Sequence, residues 1–464
     1  MIVSDKNLIA AAKKHLEKSL GSDFADFFAS LDGAPKRAAR INTLKAEPRE
    51  IAAALSLKEE SAYCGDAYIV SDETDGNHPY HKGGLFYLQE PSAMLPIEAA
   101  RPVLKEIISS RPFPLVLDLC AAPGGKSGQI AALLGGKGAL VSNEVDFKRA
   151  QTLAANLERL GVKNALVTSM MPDKLETLLA GSFDAVIVDA PCSGEGMLRK
   201  ESAAWNNMNE KTSLACAARQ SEIIACAANC VKEGGLLVYS TCTLNETENE
   251  NVIEPLIKDG GFDALECPHL TLVRKSKRFA AYRALPQDGG GEGHFVCVMQ
   301  KNGASKRPPE FSLPFDKRYK NDSALKKLLS PLSDKPLGCG VYLYRDAIYA
   351  CPPLPFVKGL CVVRSGVKVA EATKNMLVPD HAFVASLTKT TCKSMFDFPC
   401  ESGGESARRE GSAYLSAYLR GEELQIETSA RGYGIVCADG YPLGLVKASG
   451  EGVKNRYPKG LRIK

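Results

Sequence analysis

Leu115-Val116-Leu117-Asp118-Leu119 runs directly into Cys120-Ala121-Ala122-Pro123-Gly124-Gly125-Lys126-Ser127, and the reading of this stretch decides the fold. A short Leu/Val run bounded by a Gly-rich turn is the pattern of a strand buried on both faces. Ser127 to Leu134 then continues with helical spacing. The alternation repeats downstream. Strands are predicted at Ala139–Ser142, Ala165–Thr168, Phe183–Val188 and Gly235–Ser240, and helices over Phe147–Leu160 and about 211–231. A last strand, Phe295–Met299, follows a Gly-rich loop. Nearly all-apolar strands alternating with helices predict an α/β, doubly wound sheet with helices on both faces. In such sheets ligands bind outside the carboxyl ends of the strands.

The turn after the first strand is therefore the first candidate site. Gly124 and Gly125 let the backbone approach a ligand closely. Gly125-Lys126-Ser127 resembles the end of a phosphate-binding P-loop, but that motif needs a glycine six positions before the lysine, and position 120 is Cys. The Gly-x-Gly-x-x-Gly dinucleotide fingerprint does not occur in this stretch either. Glu144 closes the second strand, where an acid can accept both hydroxyls of a ribose. Ribose recognition without a pyrophosphate loop fits S-adenosyl-L-methionine better than a nicotinamide dinucleotide.

Two cysteines follow the next two strands. Asp189-Ala190-Pro191-Cys192-Ser193-Gly194 follows the fourth, and Ser240-Thr241-Cys242-Thr243 the fifth. Neighbouring carboxyl edges bring both to one crevice. A thiol there suits nucleophilic catalysis on a base such as cytosine, whose carbon 5 is a poor nucleophile. Attack at carbon 6 breaks the aromaticity and makes carbon 5 enamine-like. Charge then develops at nitrogen 3, where an acid such as Asp189 is a natural partner. The residue pattern leaves open which thiol attacks. A Cys-His hydrolase is disfavoured: the chain has 6 His, and His294 alone lies in a Gly-rich context late in this region.

The flanks set the domain plan. At 464 residues the chain is too long for one ordinary domain, and 45% hydrophobic against 24% charged residues is normal for a globular protein. The net charge of +4 means that any nucleic-acid binding must come from local clusters. The amphipathic start is not a signal peptide, and no long apolar run suggests a membrane span. Fifteen cysteines without a Cys-x-x-Cys pair point to free thiols in a reducing, cytoplasmic compartment and to no metal; Cys216, Cys226 and Cys230 read as small residues of one helix. Residues 1–85 read as a small mixed N-terminal region, with a helix over Leu8–Leu20 and a strand at Arg40–Lys45. Residues 86–300 form the predicted catalytic domain. Residues 301–335 read as a basic linker, and 336–464 as a second globular region. That region ends in Lys447, Lys454, Arg456, Lys459, Arg462 and Lys464, with Tyr441 and Tyr457 interleaved as aromatic faces for RNA.

Together these residues resemble the Sun/RsmF group of RNA 5-cytosine methyltransferases, which includes the NSUN enzymes. The resemblance rests on Arg40-Ile41-Asn42-Thr43, Gln89-Glu90-Pro91-Ser92, Asp118 to Ser127, Asp189 to Cys192 and Ser240 to Thr243. Glu248-Asn249-Glu250, Gly291 to Phe295 and Lys454 to Arg462 add to it, so it spans nearly the whole chain. It implies a class I methyltransferase sheet with a small N-terminal RNA-binding domain and a C-terminal PUA-like domain. It implies Cys242 as nucleophile, with Cys192 assisting breakdown of the covalent adduct. It implies cofactor contacts at Cys120, Ala121, Ala122, Pro123, Gly124, Gly125, Lys126, Glu144 and Asp189, with Lys126 also near the reacting base. The implied substrate is 16S ribosomal RNA or the small ribosomal subunit, acted on by a monomer; sister families use such a centre on transfer RNA. Two departures stand out. Thr168-Ser169-Met170-Met171 lies where many relatives place an adenine-binding Asp, and Asn245 stands where Pro often follows the Thr-Cys motif. A non-catalytic assembly factor and a nicotinamide dehydrogenase are the competing readings. The intact cysteines and glycine loop argue against the first, and the missing fingerprint against the second.

Overall fold

The computed structural model describes residues 6–71, 74–200, 202–312, 317–335, 337–373 and 376–463. Residues 1–5 and 72–73 of the N-terminal region, 313–316 and 336 around the expected linker, and Lys464 lie outside the described residues.

The catalytic sheet has five parallel strands in the spatial order Ala165–Thr168, Ala139–Asn143, Leu115–Asp118, Phe183–Asp189, Val231–Thr241. The chain winds outward from Leu115–Asp118 in one direction, then crosses to Phe183–Asp189 and winds in the other. The switch point thus falls between the two strands that end in Asp118 and Asp189, where a doubly wound sheet opens its ligand crevice. Strand residues alternate between two cores. Val116, Leu140, Val167 and Ile187 pack with the helices Leu95–Ser110, Gly125–Leu134 and Phe147–Arg159. Leu117, Val141, Leu166 and Val186 pack with Pro172–Leu179, Glu210–Cys230 and Glu250–Lys258. His294–Lys301 adds antiparallel to Val231–Thr241. No helix among the described residues is long and apolar enough to cross a membrane.

The opposite edge departs from the sequence reading. Val362–Ser365, from the C-terminal region, pairs antiparallel with Ala165–Thr168 and closes the catalytic sheet. Arg364 donates to the Val162 carbonyl at 2.6 Å. Inside the stretch expected as linker, Lys317–Arg318 joins a five-stranded sheet and Asp322–Leu329 is a helix that buries Leu325 and Leu329. Tyr441 and Tyr457, expected as exposed aromatic faces, are buried at 4% and 3% exposure. Both pack in the core shared by the C-terminal sheet and the N-terminal sheet, so their hydrophobic area is spent inside the fold. Lys454, Arg456 and Lys459 remain exposed.

The N-terminal strand is Arg37–Ile41, not Arg40–Lys45. Asn42 ends it, because its Nδ2 donates to the Gly84 and Leu160 carbonyls at 2.8 Å each and its Oδ1 accepts from Leu44 N. Lys45 Nζ caps the Arg159 carbonyl at 3.2 Å and the Gly83 carbonyl at 2.7 Å. These donors satisfy carbonyls at the C-terminal end of Phe147–Arg159, the end that favours positive charge. Backbone meets backbone here. A Cβ on Gly84, which has φ +74°, would fall 1.9 Å from the Arg159 oxygen. Gly84→Ala is expected to lower unfolding stability by about 3 kcal/mol or more, a steric and left-handed penalty combined. Gly21→Ala has φ +55° with open space around it and should cost only about 1–2 kcal/mol. Equal losses in urea unfolding would contradict this docking.

Candidate active site

The turn after Leu115–Asp118 is held by its carbonyls. Arg149 donates to Ala122 O at 3.1 Å, Asn156 to Pro123 O at 2.9 Å and Arg40 to Gly125 O at 3.1 Å. Arg40 comes from the N-terminal sheet and is 3% exposed, so the N-terminal region helps to build the loop. The Ala122-Pro123 bond is cis. Gly124 has φ +113°, and a Cβ there would meet Leu153 at 3.1 Å; one on Gly125 would meet the Gln89 side chain at 3.1 Å. Glu144, at the carboxyl edge of the next strand, is buried and accepts from Asp146 N at 3.1 Å. Cys120 and Ala122 are partly exposed, and Pro123 is exposed at the mouth of the turn. A glycine-floored turn with Glu144 beside it and a half-exposed carboxylate, Asp189, beyond it fits a cationic nucleoside.

Asp189 lies across the switch point and accepts from both sides. Lys126 Nζ binds Oδ2 at 2.8 Å and Ser240 Oγ binds Oδ1 at 2.8 Å. Burial disfavours its charge, but Lys126 and His294 outweigh that and hold the carboxyl well below the usual range. Asp189 is therefore an ionised acceptor. His294 Nε2 lies 3.3 Å from Asp189 Oδ1, and burial lowers the imidazole's pKa. No hydrogen bond joins His294 to either thiol among the described residues, so the Cys-His arrangement is not formed.

The half-buried thiols of Cys192 and Cys242 meet, Sγ to Sγ, at 3.2 Å. The hydrogen bond to Cys242, burial, and the negative charges of Glu248 and Asp189 push the Cys192 thiol well above its ordinary value. Either sulfur can be the donor of the hydrogen bond between them. Met170 N binds Asn143 Oδ1 at 3.1 Å, and Ser169 Oγ binds the Val145 carbonyl at 3.3 Å, so a hydroxyl and main chain occupy the stretch without an Asp. Sequence reasoning missed Arg40, Ser240 and Gln220 as site-building residues. The signal for Arg40 was an arginine between Ala39 and Ile41 in a buried strand. Gln220 gave none, being one polar residue in a long helix. His78, Cys400 and Glu401 bring ligand-type atoms within 4.8 Å of one another. His78 Nδ1 already accepts from Tyr80 N at 3.1 Å, which puts the ring proton on Nε2, facing Glu401 at 3.0 Å. That cluster reads as a clasp between N- and C-terminal regions.

Asp118 gives a measurable consequence. Ser127 Oγ donates to its Oδ2 at 2.6 Å, while Oδ1 is buried without a partner. Burial raises its pKa from 3.8 to about 7. Between those values the folded state holds a proton that the unfolded state has lost, so this group subtracts stability as pH rises. The unfolding free energy of Asp118→Asn relative to the parent should shift in favour of the variant from about pH 4 to about pH 7, then stay level. A pH-independent difference would contradict the buried, raised carboxyl.

Comparison with known proteins agrees with this architecture. Residues 107–300 match the family described as 16S rRNA methyltransferase RsmB/F. Residues 10–91 match the N-terminal domain of 16S rRNA methyltransferase RsmF, and 412–463 the methyltransferase RsmF PUA domain. The ribosomal RNA small subunit methyltransferase F of Vibrio vulnificus is 33% identical over 97% of this chain and 95% of its own length. The protein of the same name from a Shewanella species is 32% identical over 98% and 96%. A methyltransferase homolog from Pyrococcus horikoshii superposes with a TM-score of 0.54 at 25% identity, covering 64% of this chain and 96% of its own. NSun6 from the same organism shares the fold, with a TM-score of 0.55 at 21% identity over 64% and 98%. The chain therefore belongs to the RsmB/F methyltransferase family, with the RsmF arrangement of an N-terminal domain, a methyltransferase domain and a C-terminal PUA domain.

Proposed function

We propose that this methyltransferase modifies carbon 5 of a cytosine in RNA, with 16S ribosomal RNA of the small subunit as substrate, through a covalent adduct between Cys242 and carbon 6. The observation that carries the reading is the pair of thiols 3.2 Å apart beside the Lys126–Asp189 ion pair. A simple methyl transfer to a nitrogen or an oxygen needs no thiol. S-adenosyl-L-methionine supplies the electrophilic methyl group. Cys120 to Lys126, Glu144 and Asp189 are the residues that would hold it.

The residues divide the work as follows. The Cys192 thiol, its pKa raised, can donate across the 3.2 Å contact to a Cys242 thiolate whose own proton has gone to solvent, which supports that sulfur as the attacking group. The bond from sulfur to carbon 6 pushes electrons toward nitrogen 3. Lys126 Nζ, held by the Asp189 carboxylate at 2.8 Å, can donate a hydrogen bond toward this charge. Once carbon 5 carries the methyl group, Cys192 passes its proton to the departing Cys242 sulfur 3.2 Å away and takes up the carbon 5 proton in its place, while the electrons of that carbon–hydrogen bond re-form the double bond between carbons 5 and 6 as the bond from carbon 6 to sulfur breaks. A base must leave its stack to reach these half-buried sulfurs. The exposed Lys454, Arg456 and Lys459 offer charge for RNA phosphates, without the aromatic stacking expected from Tyr441 and Tyr457. We assign the protein to the cytoplasm and to a monomeric state on the same reading.

Cys242→Ala should abolish methylation, read by bisulfite mapping of small-subunit RNA, while calorimetric binding of S-adenosyl-L-methionine persists. Full methylation by that variant would sink the nucleophile assignment. Cys192→Ala should accumulate an RNA adduct that survives denaturing gels; normal turnover without adduct would remove Cys192 from the release step. RNA affinity should fall steeply with added salt, and replacing Lys454, Arg456 and Lys459 together should make that dependence shallower. An unchanged salt slope would place the RNA elsewhere.

A further inference from the structure

Beyond the charge of Glu248 near Cys192, Glu248-Asn249-Glu250 has no role assigned above, yet all three side chains are fully buried. A buried acid needs several donors to be tolerated. Glu248 finds them around Cys192: Ser193 N at 2.9 Å, Ser193 Oγ, and Gln220 Nε2 at 3.0 Å. The same Gln220 amide reaches the Pro191 carbonyl at 2.9 Å. Cys192 is thus bracketed on both sides, at Pro191 and at Ser193, by a network centred on Glu248.

Asn249 does the same for the other thiol. Thr241 Oγ1 donates to Asn249 Oδ1 at 2.6 Å, and Asn249 Nδ2 donates to the Thr243 carbonyl at 3.0 Å. Cys242 sits between those two residues. Its own carbonyl accepts from Gly196 N at 2.8 Å, where a Cβ on Gly196 would come within 2.9 Å of that oxygen. Glu250 anchors the run through Arg283, which also donates to the Leu244 carbonyl at 3.0 Å. Adjacent residues have Cα atoms about 3.8 Å apart across a trans peptide, so one peptide unit relates the two brackets.

We propose that Glu248 and Asn249 act as a two-pronged positioning element, in which Glu248 places Cys192 and Asn249 places Cys242, so that the peptide unit between them sets the separation of the two thiols. The inference rests on the assignment of attack to Cys242 and release to Cys192. It makes the two prongs separable. Glu248→Gln puts a donor where Ser193, Gln220 and Asn245 already donate, and loosens Cys192. Asn249→Asp sets a carboxylate oxygen against the Thr243 carbonyl, and loosens Cys242. Both changes are nearly isosteric.

The test is the partition of the reaction, measured on the full-length protein with small-subunit RNA and S-adenosyl-L-methionine. Adduct on denaturing gels and turnover are scored separately, with melting temperature alongside. Glu248→Gln should lose turnover by about tenfold or more while adduct accumulates, as Cys192→Ala does. Asn249→Asp should lose adduct formation itself by a similar factor, since a misplacement near 1 Å can cost about a hundredfold. If Glu248→Gln does not fold, Gln220→Leu removes the other bracket and should also accumulate adduct; if Asn249→Asp does not fold, Thr241→Val should lose adduct. Variants of both prongs that fall together, or that match the parent, overturn the proposal. The Cys192→Ala and Cys242→Ala controls run beside them, so a failure of the underlying assignment is seen in the controls and a failure of the prongs only in the variants.

Discussion

The Lys126–Asp189 ion pair bridges the switch point of the sheet, and the rest of the site depends on it. Lys126 opens the helix that follows the glycine turn, and Asp189 ends the strand that leads to Cys192. One contact of 2.8 Å therefore fixes the glycine turn relative to the thiol loop. Lys126 is 8% exposed, and a charge so placed is strongly disfavoured without its partner. The pair is consequently a constraint on geometry more than a source of net stability. Ser240 completes it from the strand that leads to Cys242, so three neighbouring strands converge on one carboxylate.

That convergence was largely legible in the sequence, because strand ends and glycine turns follow from local patterning. Leu115 to Ser127, Asp189 to Cys192 and Ser240 to Thr243 each announced a strand followed by a turn. The roles within the crevice were less legible, since they depend on partners distant in the chain. Asp189 reads as a generic acid until Lys126, 63 residues away, is seen to hold it ionised. The Cys192 thiol is raised first by its contact with Cys242, 50 residues away, and by burial, with Glu248 and Asp189 adding to it, and local pattern cannot bring these partners together.

The flanking regions were the harder part. Val362–Ser365 is too short and too ordinary to be read as the edge of a sheet nearly 200 residues away in sequence. Tyr441 and Tyr457 lie near charges in the sequence, which suggested a surface, but Tyr441 opens a strand buried from end to end as far as Val446, and from Val453 to Tyr457 buried and exposed residues alternate, which leaves Lys454 and Arg456 outside. Lys45, Asn42 and Arg159 then lock the N-terminal sheet onto the helix that carries Arg149 and Asn156, the residues gripping the glycine turn. The outer domains in this way support the site mechanically, through backbone caps and close glycine contacts.

The account's central claim is that Cys242, not Cys192, bonds to the base. It is tested most directly by trapping. Small-subunit RNA transcribed with 5-fluorocytidine cannot lose a proton from carbon 5, so the adduct cannot resolve. After incubation with the parent protein and S-adenosyl-L-methionine, tandem mass spectrometry of the digested complex should find a methylated fluorocytosine nucleotide on the peptide containing Cys242. Attachment to the Cys192 peptide, or to neither, would contradict the account.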